Sequence, residues 1–257
     1  MKGLLIKDYY CLKKSLKTFF ILTIGVIIIG VMFALSMKYG NMATAATGTA
    51  AEAGMDEGTV FDMFRIAVWL VIVIPTALVG NVMDCFKEDM RAGFRKELFS
   101  LPVTSWQIVG ARYAACLIYA LVSFVGALIT SLCISGASEE YPFIELLSVA
   151  VIFGSIMLGY LCIVMCFIYL IGTKYADYIQ AAPIIIALVT AIVFVNVKRM
   201  DMEEAEFNAF TINVWRMMKE FITHNAGIFL FTAVVIFVIT YITSVKIVER
   251  KKGKAIC

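Results

Sequence analysis

Six stretches of this chain carry no Asp, Glu, Lys or Arg, and each is long enough to cross a bilayer: 19–37, 66–83, 113–138, 146–173, 179–197 and 226–245. The shortest, 66–83, makes about 27 Å of α-helix at ~1.5 Å per residue, against a hydrocarbon core of about 30 Å. In lipid every backbone polar group needs a partner within its own segment, so uncharged runs of this length fold as helices. Only 16% of the residues are charged and 62% are hydrophobic. A soluble domain has about 25% and 45–50%. The chain is therefore expected to be an all-α polytopic membrane protein, one domain over 1–257. Its six spans are placed at about 19–37, 66–83, 107–132, 146–173, 179–197 and 226–245. The first apolar run exceeds the 7–15 residues of a signal-peptide core, so it is read as a span.

Charge is distributed unevenly about these spans. Residues 1–18, 84–112, 174–178 and 246–257 fall on one side and hold 16 of the 22 basic residues. The other side keeps only Lys38, Arg65, Lys198, Arg199, Arg216 and Lys219. The positive-inside rule then puts both termini in the cytoplasm.

The loops have patterns of their own. In residues 1–18, Leu5, Tyr9, Leu12 and Leu16 recur at helical spacing among lysines, as in an amphipathic helix lying in the interface before the first span. After the second span, Phe86, Met90, Phe94 and Leu98 form one apolar stripe. Lys87, Glu88, Asp89, Arg91, Arg95, Lys96 and Glu97 fill the rest of that surface. This is a short helix of dense mixed charge, stopped before Pro102. The third span then starts on a capping box, Thr104-x-x-Gln107, with Val103 and Ile108 at the positions of a hydrophobic staple. A helix, a break and a firmly started span make either a membrane-hugging connector or a joint that carries a push into the bilayer. On the opposite side, Ala43–Gly54 is a low-complexity Thr/Ala/Gly run that reads as a loop. Phe207, Phe210, Val214, Met217, Met218 and Phe221 predict an outer amphipathic helix before the sixth span, capping an exit or resting in headgroups.

Within the spans, Gly126, Gly154 and Gly159 suggest close helix contacts. Pro75 and Pro183 predict bends in the second and fifth spans and, with Pro102, are the candidate hinges.

Several function classes leave no trace. No ionisable group lies deep in a span, which disfavours ion-coupled carriers and proton pumps. There is no G-x-x-x-x-G-K-[ST] phosphate loop, no metal-ligand spacing among the seven cysteines, and no catalytic motif around the lone His224. No cofactor, metal or nucleic acid is expected to bind this chain. Uphill transport would draw its energy from another protein. An ATP-independent carrier or channel is the alternative.

Three features resemble the ABC-2 type permeases, the membrane subunits of many bacterial ABC exporters. The opening Met1-Lys2-Gly3-Leu4-Leu5-Ile6-Lys7-Asp8 is similar to that family's N-terminal amphipathic helix. Glu88-Asp89 through Arg95, closing on Ser100-Leu101-Pro102-Val103-Thr104, is similar to its first cytoplasmic loop. The six-span plan also agrees. The resemblance implies a bacterial plasma-membrane permease paired with a second copy or a paralogue, and with separate ABC ATPase subunits that bind ATP and Mg. It places the ATPase contact on Glu88, Asp89, Arg91, Arg95 and Glu97, on a coupling helix whose apolar stripe is Phe86, Met90, Phe94 and Leu98. Size and plan also resemble exporters of small amphipathic peptides, including phenol-soluble modulins.

Overall fold

The computed structural model describes residues 2–39, 57–91, 103–139, 141–202 and 204–256, and all the regular structure among them is helical. Seven α-helices follow one another: α1 (Lys2–Lys38), α2 (Glu57–Ala77), α3 (Asp84–Arg91), α4 (Ser105–Ala137), α5 (Phe143–Ile171), α6 (Ala176–Asp201) and α7 (Glu204–Ile256). Short 3₁₀ segments, Leu78–Met83 and Thr173–Tyr175, lead into α3 and α6.

Among the described residues, five segments are long and apolar enough to cross a membrane: Ser15–Lys38, Ser105–Ala137, Phe143–Ile171, Ala176–Met200 and Met217–Lys252. The expected span at 66–83 is built differently. It is α-helical only to Ala77, with its apolar part at Phe64–Ala77, and continues as 3₁₀ helix to Met83. Pro75 sits inside that helix, two residues before the change, where its missing N–H weakens the α pattern. The tighter winding rises ~2 Å per residue, so the two parts together reach about 33 Å.

Two expected boundaries are absent. Residues 1–18 do not form a separate interfacial helix, because α1 runs unbroken from Lys2 to Lys38. The amphipathic stretch before the last span is likewise continuous with it in the 53-residue α7. Neither junction holds a proline, and a nucleated helix extends at little cost through residues that only change in polarity. Elsewhere the breaks fall where the chain supplies them. Pro142 caps the start of α5, and Gly172 ends it at φ 129°, a backbone region in which a Cβ is strained.

Helices α1, α2, α4, α5 and α7 pack into one bundle with two stacked cores. One, at the end where both termini lie, gathers Val82, Met83, Phe86, Tyr113, Leu161 and Val245. The other, at the far end, gathers Ala34, Trp69, Ile72, Ile134, Leu146 and Ile222. Gly126 marks a real close approach, since a Cβ there would sit 3.1 Å from the Phe19 ring. Gly159 makes only ordinary contact, and at Gly154 a Cβ would meet nothing nearer than 4.0 Å. Helix α6 stands apart. Every residue over 181–197, Pro183 included, is exposed, and the helix is tied mainly at its foot, where Ala176 is buried and the Tyr160 hydroxyl donates to the Gln180 carbonyl.

Candidate functional site

Lone charges in apolar or opposite-sign surroundings need partners, and two of them meet at the terminal end of the bundle. Asp8 is the one acid among the five lysines of residues 1–18, and Arg112 is the one charged residue of α4. Both are buried, at 2% and 6% exposure. The capping box fixes where α4 begins: the Thr104 hydroxyl accepts from the Gln107 N–H at 3.3 Å, and the Gln107 side chain accepts from the Thr104 N–H at 3.2 Å. Two turns on, Arg112 points into the junction of α1, α3 and α4.

There the guanidinium lies 3.2 Å from Asp8, donates to Asp89 through its other nitrogen, and stacks 4.6 Å above the Phe86 ring. Lys7 adds a second cation, 3.4 Å from Asp8 and bonded to Asp89. Two cations and two carboxylates thus balance in one quartet, the condition under which buried charge is tolerated. The delocalised Arg fork can hold two carboxylates while lying on an aromatic face. Burial pushes the Asp8 carboxyl above its ordinary value, with Arg112 and Lys7 pulling it back down. Beside it, the Cys85 thiol donates to the Asp8 carbonyl at 3.8 Å and is pushed up to about 12 by burial.

A rim of pairs extends the quartet. Lys87 reaches Asp177 in the first turn of α6 at 2.8 Å and Asp84 at 3.6 Å; the bond to Asp177 holds its ammonium above the usual lysine value. Ser15 donates to Asp84 at 3.4 Å. From α7, Lys251 donates to the Tyr169 and Leu170 carbonyls at the end of α5, at 2.7 and 2.8 Å. Lys252 donates to the Val103 carbonyl, just before α4, at 2.7 Å. These lysines neutralise carbonyls that a helix end or its approach leaves unbonded. α1, α3, α4, α5, α6 and α7 are thereby joined within a few turns of one another.

The residues expected on the coupling helix divide by direction. Phe86, the first of the stripe, is buried, 5.6 Å from the Tyr169 ring. Asp89 faces inward to Arg112 and Lys7. Glu88 and Arg91 face away, paired with each other at 2.7 Å and exposed. The Met90 side chain, and Phe94, Arg95, Glu97, Leu98 and Pro102, lie outside the described residues. Sequence reasoning did not assign Lys7, Asp8, Lys87, Arg112 or Asp177 to the site. The readable signal was the pair of solitary charges, Asp8 and Arg112, of opposite sign and assigned to the same side.

A second buried group sits at the far end. Glu145, in the first turn of α5, lies 3.3 Å from Arg65 of α2 and 4.0 Å from Lys219 of α7.

A family model described as "ABC-2 family transporter protein" matches residues 59–249. No curated protein and no solved structure matches the chain.

Proposed function

This chain belongs to the ABC-2 family of transporter proteins and is a permease subunit of an ABC-type transporter, and from that membership we propose that it forms the membrane half of an ATP-driven exporter. The chain is multi-pass, and the family implies a partnering ABC ATPase. The membrane is a bacterial plasma membrane. The basic end, with both termini and α3, faces the cytoplasm, as the excess of Lys and Arg there supports. A second permease copy or paralogue completes the pathway. The all-round apolar exposure of α6 supports a contact of that kind or with lipid. The cargo is hydrophobic or amphipathic, with small amphipathic or antimicrobial peptides as the leading class.

One observation carries the coupling role: α3 is held from beneath by the Arg112 quartet while Glu88 and Arg91 stay exposed on its other side. An ATPase docked on Glu88 and Arg91, continuing to Arg95 and Glu97, would push a helix that cannot slip. The load passes through Asp89 into α4 and through Lys87 into α6. Pro75, Pro102 and Pro183 are the positions where the spans would yield. ATP and Mg bind in the ATPase.

The test is to reverse Glu88 and Arg91 separately, as Glu88→Lys and Arg91→Glu, in the complex purified from its own host. Exposed pairs of this kind contribute only about 0–1 kcal/mol to folding, so both variants should fold. Loss of ATPase co-purification, or hydrolysis freed from export, is the expected result. Unchanged binding and coupling in both would refute the docking surface.

A further inference from the structure

Midway through the bundle, α2, α4, α5 and α7 leave a cavity of about 240 Å³ between them. Its wall is apolar apart from three hydroxyls, Thr76, Ser123 and Ser155. Thr76 donates to the Val73 carbonyl at 2.7 Å. Ser123 and Ser155 are 1% and 5% exposed, and neither hydroxyl has a hydrogen-bond partner among the described residues.

Six other described hydroxyls of the spans behave differently. Thr130, Ser131, Ser148, Thr232, Thr240 and Thr243 each donate to the carbonyl four residues back, the usual way a membrane helix satisfies them. A third unpartnered hydroxyl, Thr23, lies elsewhere, against Gly126 where α1 meets α4. The two serines of the cavity come from facing helices, and each hydroxyl can donate one bond and accept up to two.

Depth and access narrow the occupant. Ser123 lies about 15 Å along α4 from Tyr113, near the middle of a ~30 Å core. A phospholipid ester does not reach that depth. The cavity mouth is bordered by Leu117, Leu121 and Leu230, all exposed on the hydrocarbon-facing surface, so what enters comes from the bilayer. Among the described residues, no charged side chain lines it. The volume exceeds the ~150 Å³ that admits benzene and falls below the ~300 Å³ of the smallest drug-sized pockets.

We propose that this cavity is a binding site, within a single permease chain, for a small uncharged amphiphile that presents one hydroxyl or carbonyl to Ser123 and Ser155 and buries a short alkyl chain against the leucines. The site is built within one chain and does not depend on the ATPase reading.

The full chain, reconstituted in phosphatidylcholine vesicles, is photolabelled with a diazirine-bearing octanol and with the same probe lacking the hydroxyl, and adducts are mapped by mass spectrometry. The octanol probe is expected to label the segments 117–124 and 151–158 and to be displaced by excess n-octanol. Ser123→Ala and Ser155→Ala should each lower its labelling about fivefold, the effect of one net hydrogen bond. Labelling by the hydroxyl-free probe should not change in these variants, which also shows that they are folded. Gly154→Leu, whose Cβ has room, should fill the space and abolish labelling by both probes. The proposal is overturned if the octanol labels elsewhere or if both Ser→Ala variants label like the parent chain. It is equally overturned if Ser123→Cys reacts with a charged methanethiosulfonate while octanol does not bind, which would make the cavity water-filled.

Discussion

Replacing Arg112 with methionine keeps an unbranched apolar stem and removes the charged guanidinium. Asp8, 2% exposed, and Asp89 are then left with Lys7 alone. Breaking a buried ion pair from one side costs about 3–5 kcal/mol. An upper bound comes from the escape open to Asp8, which is to take up a proton. From its ordinary value of 3.8 to pH 7, at ~1.36 kcal/mol per pH unit, that costs about 4.4 kcal/mol. The two figures agree, and Arg112→Met should lose about 3–4 kcal/mol in reversible unfolding of the full chain in mixed micelles, followed by tryptophan fluorescence. The pH dependence has a definite sign. Burial holds the folded Asp8 carboxyl above 3.8, so its contribution to stability is fully present below 3.8 and is lost as pH rises through the folded value. Without Arg112 that folded value climbs further, so the variant should recover part of its deficit between pH 7 and pH 5. Adding Asp8→Asn should restore at least about 1 kcal/mol relative to additivity, since the two residues touch. A loss under about 1 kcal/mol, additive double variants, or no recovery in acid would refute the quartet as the source of rigidity.

Cys85 lies beside the quartet, and burial pushes its thiol up to about 12 against the pull of Arg112. At pH 7.5 the thiol should resist N-ethylmaleimide in the folded chain and label readily once the chain is unfolded in denaturant, as read by peptide mass spectrometry; fast labelling of the folded chain would refute the burial. Gly30 sits where a Cβ would come within 2.9 Å of Ile134 and 3.0 Å of Val71, so Gly30→Leu should overpack α1 against α4 and α2 and cost about 1–3 kcal/mol in the same unfolding assay. Thr104→Ala removes the cap of α4 and should cost about 1 kcal/mol, while Thr104→Ser should retain most of it.

Much of the architecture could be read along the chain because its causes are local. An uncharged run must become a helix in lipid, and a Thr three residues before a Gln can close a capping box by itself; both expectations match the structure. The family was legible for the same reason, through short motifs and a plan of spans.

What the tertiary structure alone decided are the meetings between distant residues. Asp8 and Arg112 are 104 positions apart, and only the packing of α1 beside α4 makes them partners. Asp89 shares its segment with Glu88, yet the helix phase turns one inward and the other outward, and that phase is set by Phe86 finding a core. Gly154 matches the pattern of a close contact, but the helices around it diverge and leave a cavity in its place. Hydropathy states that a segment prefers lipid or protein to water. It does not distinguish lipid from protein, so the isolation of α6 could not be foreseen from residues as apolar as those of buried α5.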